Sequence, residues 1–257
     1  KMLSGPWPAS ASHVRRKEAR MRQNEIKAIF DQQAASYDAQ WVKTAPIKEC
    51  LYFLLESLFA ELPADARILC VGVGTGAELA HLAQRHPAWR FTAVEPSGPM
   101  LDICRQRAAD EGFAPRCHFH EGYLDTLAAA VEPHDAATCF LVSQFILDPQ
   151  ERSAFFRQIA EKLRPGGMLA SADLASDVAS PEYEVLLRAW MNMMAASDVS
   201  PEAMERMRKA YASDVAVLPP GRIAAMIASG GFELPVLFFQ AGLIHAWRSR
   251  RPLGHAD

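Results

Sequence analysis

The stretch Arg67–Leu79, RILCVGVGTGAEL, decides the fold. An apolar run (Ile68, Leu69, Cys70, Val71) leads into glycines at alternate positions, Gly72, Gly74 and Gly76, and then into residues that open a helix. Such a run suits a strand buried on both faces of a parallel sheet. Glycine is needed where the chain turns sharply and where a ligand comes too close for a Cβ. The helix that begins near Thr75 then offers unpaired N–H groups and the positive end of its dipole to a carboxylate or phosphate.

Downstream of the loop, strand and helix patterns alternate. Helices are predicted over Ala77–Arg85, Gly98–Glu111 and Leu124–Val131, and strands over Arg90–Val94, Arg116–His120 and Ala136–Val142. Asp148-Pro149 has the form of an N-cap followed by proline at the first helical position, opening a helix to Leu163. The turn RPGG leads into a strand at Met168–Asp173, and Pro181–Ala212 reads as two Met-rich helices (Met191, Met193, Met194, Met204, Met207). After a helix at Pro219–Ser229, the strands Phe232–Gln240 and Leu243–Arg248 are joined so closely at Ala241-Gly242 that only an antiparallel hairpin fits.

Upstream of the loop, Asn24–Tyr37 and Ile47–Leu62 repeat apolar residues at helical spacing. The fold class expected is α/β: a doubly wound, mostly parallel seven-stranded sheet with a terminal antiparallel hairpin and a helical cap. The expected division is an N-terminal tail or helix (1–23), a helical cap (24–63), a core (64–178 and 214–257), and an inserted helical cap or dimer segment (179–213).

Composition narrows the function classes. A net charge of -3 over 257 residues gives no global attraction to phosphate backbones or anionic membranes. Basic residues cluster only locally, at Arg15–Arg22 and Arg248–Arg251, and read as solvated ends of elements. Cys50, Cys70, Cys104, Cys117 and Cys139 are odd in number and form no C-x-x-C pair, which suits reduced core thiols of a cytoplasmic protein. The opening KMLSGPWPAS lacks the apolar run of a secretory leader, and Ile47–Leu62 is too short and too charged to span a bilayer. His118 and His120 share a strand face but have no third ligand at a sensible spacing, so no metal site is expected, and His245 reads as structural.

The glycine loop fits two cofactors. Gly72-x-Gly74-x-x-Ala77 matches a dinucleotide pattern, and Gly72-x-Gly74-x-Gly76 matches a loop for S-adenosylmethionine. Glu95 ends the next strand, where a carboxylate accepts both ribose hydroxyls of an adenosine. That carboxylate also argues against a 2′-phosphate.

Three further features bear on the choice: LRPGG at Leu163–Gly167, ASGGFELPVLFFQAGLIHAW at Ala228–Trp247, and FDQQAASYD at Phe30–Asp38. Together with the loop they resemble class I S-adenosylmethionine-dependent methyltransferases, from about Phe30 to Arg248. A nicotinamide oxidoreductase more often begins with its glycine loop. By that resemblance the fold is Rossmann-like, and the cofactor is held by Gly72, Val73, Gly74, Gly76, Glu95, Pro96, Tyr123, Leu124 and Phe140. Cys70 and Tyr123 stand where the family usually has acids. The layout SQFILDPQER, LRPGG and FFQAGLIHAW is also similar to carboxy-S-adenosylmethionine enzymes of transfer RNA wobble-uridine modification. Their carboxylate-pairing cation has its nearest counterparts in Arg208 or Lys209. Their asparagine falls at Phe140 and their tyrosine near Lys48.

The resemblance implies methyl transfer to a small-molecule acceptor, with transfer RNA as a second partner class and a homodimer compatible with the Met-rich segment. A silent adenosyl-binding or dimerisation protein is the alternative from another class, made conceivable by the two missing acids. The catalytic residues stay unassigned. Tyr37, Trp41, Gln144, Asp173, Trp190 and Arg208 are candidates for the acceptor pocket because open α/β folds place ligands at the carboxyl edge of the sheet.

Overall fold

The computed structural model describes residues 9–128, 132–194, 202, 205, 206, 208, 209, 211 and 214–254. At its centre is a seven-stranded sheet. The strands are β1 (Arg67–Val71), β2 (Arg90–Glu95), β3 (Cys117–Glu121), β4 (His134–Phe140), β5 (Leu163–Leu174), β6 (Val236–Ala241) and β7 (Ile244–Arg250). Their order is β3-β2-β1-β4-β5-β7-β6; β7 runs antiparallel to both β5 and β6, and the remaining pairs are parallel. This is a Rossmann-like, mostly parallel sheet ending in an antiparallel hairpin. The order reverses between β1 and β4, so a crevice opens at their carboxyl ends.

The alternation within β1 builds the two faces of the core. Ile68 and Cys70 pack with Leu79, Leu82 and Phe91 on one side. Leu69 and Val71 pack with Phe156, Ile159, Ile223 and Trp247 on the other. The first face is covered by α4 (Ala77–Arg85) and α5 (Gly98–Asp110), the second by α6 (Pro149–Lys162) and α8 (Pro220–Ser229). Two caps set these helices. Ser97 Oγ accepts the Met100 N–H at 3.3 Å, and one Asp148 carboxylate oxygen accepts from Gln150 and Glu151 at 2.9 Å each. Each such cap is worth about 1 kcal/mol.

The remaining helices are α1 (Ala9–Gln33), α2 (Tyr37–Gln40), α3 (Ala45–Phe59) and α7 (Pro181–Met194). A third cluster joins Leu51 and Tyr52 of α3, Tyr183, Leu187, Trp190 and Met191 of α7, and Ala172, Phe239 and Ala246 of the sheet. Several boundaries differ from expectation for local reasons. Helix α1 runs far ahead of Asn24, and a 3-10 turn at Ala34–Ser36 separates it from α2. In that turn the Ser36 hydroxyl donates to the Gln33 carbonyl. Only a 3-10 turn, Leu124–Thr126, forms where a helix to Val131 was expected, and 129–131 lie outside the described residues. β6 starts at Val236, just after Pro235, which has no N–H for a ladder. β5 already pairs at Leu163, with Gly166 in the left-handed region. The second helix expected before Ala212, with Met204 and Met207, falls largely outside the described residues.

Candidate functional site

The loop from β1 to α4 is left-handed at all three glycines, with φ of 66°, 54° and 81° at Gly72, Gly74 and Gly76. The reasons for glycine differ. A Cβ at Gly72 would lie 2.4 Å from Val142 Cγ2, and one at Gly76 would lie 2.5 Å from Cys104 Sγ. At Gly74 a Cβ would meet nothing within 4 Å. The outer glycines are therefore fixed by protein packing, while the middle one faces open space and forms a cradle for a ligand. Gly72 and Val73 both donate their N–H groups to the Val94 carbonyl, which bends the loop toward β2.

Glu95 lies against that loop at the end of β2. One carboxylate oxygen accepts the Gly74 N–H at 3.0 Å and the other accepts the Ser97 N–H at 2.9 Å. Burial raises its pKa, and these two backbone donors work against the rise. Pro96 beside it is half-buried, and Val73 is buried. On the β3 side, the Tyr123 hydroxyl donates to the Gln23 carbonyl of α1 at 3.0 Å, and Leu124 is buried beneath. Helix α1 thus borders the β3 side of the cradle. Asp31, also on α1, is ion-paired with Lys27 at 2.7 Å.

The cap is tied to the loop by one residue. Asp38 accepts the Thr75 hydroxyl at 2.7 Å on one oxygen and pairs with Arg107 at 2.5 Å on the other. Next to it, Tyr37 has its hydroxyl pushed up to about 12 by burial and then by Glu95, Glu78 and Asp38. Tyr37 is therefore protonated at neutral pH. Its ring belongs to an aromatic wall: Phe30 at 6.3 Å and Trp41 at 6.0 Å, with Trp41 in turn 6.4 Å from Trp190 and Phe30 5.5 Å from Phe145. Phe140, at the end of β4, stacks on Tyr52 at 6.4 Å. The following residue, Leu141, is the only described non-glycine with positive φ, at 58°. Such a conformation stores strain and recurs at ligand sites.

The other expected residues have these partners. Asp173 is fully buried, 3.2 Å from Arg152, and accepts the Ser143 hydroxyl at 2.7 Å. Burial raises its carboxyl, and Arg152 and Ser143 oppose the rise. Gln144 accepts the Leu174 N–H at 2.8 Å on its side chain and holds the end of β4 to β5. Arg208 is exposed and engages Glu184 of α7 through two guanidinium nitrogens. His120 is hydrogen-bonded to Thr126 at 2.8 Å, while His245 contacts the Leu243 carbonyl and stacks on Trp247. Among the described residues no cluster of His, Cys, Asp and Glu is arranged to hold a metal ion, and no helix is long and apolar enough to cross a membrane.

Sequence reasoning missed two side chains of this site. Asp38 was within the quoted FDQQAASYD, but its contact with Thr75 spans 37 residues. Glu78 reads as an ordinary first-turn acid of α4. It is buried instead, and it accepts the Thr138 hydroxyl at 3.0 Å. Burial, with a smaller push from Glu95, raises it to about 8.

Comparison with known proteins bears on the family and the fold. Residues 68–167 match the family described as Methyltransferase domain. A carboxy-S-adenosyl-L-methionine synthase of Aeromonas salmonicida is 27% identical over 170 residues, 66% of this chain and 67% of that protein. The erythromycin 3''-O-methyltransferase of Saccharopolyspora erythraea is 33% identical over 108 residues, 42% of this chain and 34% of that protein. An O-methyltransferase family protein from Burkholderia thailandensis has the same fold, with a TM-score of 0.56 at 16% identity over 80% of this chain and 57% of that one. The matched stretch spans 24%, 67% and 37% of the length of three curated relatives.

Proposed function

We infer that this chain, which belongs to the class I S-adenosylmethionine-dependent methyltransferases, transfers the cofactor's methyl group to a small-molecule acceptor beneath the aromatic wall. The observation that carries this reading is the cradle at Gly74. It is open to a ligand, bordered by the Glu95 carboxylate, and joined through Thr75 and Asp38 to the aromatic cap. S-adenosylmethionine fits it, because a diol suits the paired oxygens of Glu95 and a carboxylate suits the N-terminus of α4, whose Gly76 cap has no side-chain acceptor. When bound, the cofactor supplies a methyl group made electrophilic by positively charged sulfur.

The chain's own part is positional. The loop glycines and Glu95 fix the adenosine, while Phe30, Tyr37, Trp41 and Phe145 present flat apolar surface to an acceptor and exclude water. In this reading Tyr37, protonated, donates a hydrogen bond to the acceptor. Charge supports a small molecule over transfer RNA, since the chain is acidic overall. The five free cysteines support a cytoplasmic enzyme. A homodimer through the 179–213 segment completes the reading, and a monodisperse monomer by light scattering would remove that part.

Similarity to the carboxy-S-adenosyl-L-methionine synthase favours a second reading, in which the cofactor is the carboxylated form. Against it, Arg208 is already engaged by Glu184 and Glu205. Calorimetric titration with S-adenosylmethionine, its carboxylated form, S-adenosylhomocysteine and NAD separates these readings. Transfer of labelled methyl to panels of phenols, sugar hydroxyls, amines and bulk transfer RNA then identifies the acceptor class. No binding of either sulfonium overturns the proposal, and binding without transfer to any acceptor supports a silent adenosyl-binding protein.

A further inference from the structure

We propose that Glu78 receives the ammonium group at the methionine end of the cofactor, supplying from α4 the carboxylate that β1 lacks at Cys70. This inference rests on the methyltransferase reading above. Cys70 and Thr138 are register partners on the adjacent strands β1 and β4, so their side chains point to the same face. Both are fully buried, and neither carries charge. Glu78 lies over this pair, bonded to the Thr138 hydroxyl, and keeps 7% exposure where the two residues beneath it have none. An acid therefore stands at the place in the crevice where Cys70 provides only a thiol.

Position along the crevice gives the ligand's polarity. Glu95 is on the β2 side of the loop and takes the Gly74 N–H. Glu78 is on the β4 side, toward Phe140 and Tyr52. A ligand straddling the loop meets hydroxyl acceptors at one end and a second carboxyl at the other. S-adenosylmethionine has its ribose diol and its ammonium so disposed.

The surroundings of Glu78 explain why it waits for a cation. Glu95 of β2, Cys70 of β1, Cys139 of β4, Cys104 of α5, Tyr37 of α2 and Tyr52 of α3 all bear on it, and each is neutral or acidic. With its pKa lifted to about 8, Glu78 is largely protonated at neutral pH. An ammonium beside it favours the carboxylate, so its proton leaves to solvent as the cofactor binds. Binding is then linked to proton release.

The test is calorimetry near pH 7 in two buffers of different ionisation enthalpy. The ligands are S-adenosylmethionine and 5′-methylthioadenosine, which has the ribose and adenine but no amino-acid end. Wild type should release protons with the first ligand and not with the second. Glu78→Gln mimics the protonated side chain; it should weaken S-adenosylmethionine by at least about tenfold, the loss expected for a charged hydrogen bond. It should abolish the buffer dependence and leave 5′-methylthioadenosine unchanged. Thr138→Val retains the acid and removes its donor, and should weaken S-adenosylmethionine alone. Unchanged affinity and proton release in Glu78→Gln overturn the assignment while leaving the methyltransferase reading intact. A wild-type protein that binds neither ligand overturns the reading itself.

Discussion

Asp173 is the sequence candidate whose surroundings give it the clearest other task, and replacing it tests that reasoning. Its carboxylate is fully buried and faces the guanidinium of Arg152, which is fully buried too. Arg152 also donates to the Ser143 hydroxyl at 2.9 Å and to the Ala216 carbonyl at 3.2 Å, so the pair fastens the chain after β4 to the segment before α8. Asp173→Asn keeps the shape but leaves the guanidinium charge uncompensated in the core. Breaking one half of a buried pair costs about 3–5 kcal/mol. For a chain of 257 residues, each kcal/mol lowers the melting temperature by about 2 °C, so a fall of about 6–10 °C is expected. Urea unfolding should give the matching loss in midpoint. Below the melting temperature, the affinity for S-adenosylmethionine should stay within about twofold of wild type. The double change Asp173→Leu with Arg152→Met should recover part of the stability, because an apolar pair has no ions to desolvate. A variant that melts like wild type but has lost transfer would refute this reasoning and return Asp173 to the site.

The other expectations concern the cradle. Glu78 holds its proton to about 8 in the native state and releases it near 4.5 when unfolded, so wild-type stability falls as pH rises through that window. At about 1.4 kcal/mol per pH unit the loss has an upper bound of ~5 kcal/mol relative to Glu78→Gln, which keeps the pH dependence of the other groups but not this one; parallel urea midpoints for the two proteins between pH 5 and 8 would exclude the linkage. Gly76→Ala collides with Cys104 and should lower the melting temperature by several degrees, whereas Gly74→Ala should fold with a loss of about 1 kcal/mol from its left-handed backbone and yet bind cofactor poorly. Equal melting losses and equal affinities in the two variants would contradict the division of roles. Glu95→Gln should weaken S-adenosylmethionine and 5′-methylthioadenosine alike, by at least about tenfold, since both present the ribose diol; titration of the two ligands separates this from the selective effect of Glu78→Gln.

What could be read from the sequence follows physical lines. The strand and loop at Arg67–Gly76 were legible because alternation and glycine demand are local: Ile68 and Cys70 serve one face, Leu69 and Val71 the other. The closing hairpin was legible for the same reason, and its start was misplaced by the few residues up to Pro235. Helix α1 was read only from Asn24 because the residues before it show no apolar repeat, and periodicity detects a packed face, not a helix as such. The surroundings of the charged residues were not legible where they depend on partners far along the chain. Asp173 looked like a strand-end acid until Arg152, 21 positions earlier, proved to be its counter-ion. Glu78 looked like a helix-start acid until Thr138, 60 positions on, proved to hold it over Cys70. In each case a residue's identity says that a charge exists and only the sheet order says what the charge faces. That is why the missing acid of RILCVGVGTGAEL reads as a defect in one dimension. Folding brings a carboxyl from the same thirteen-residue stretch back over the strand that lacks it.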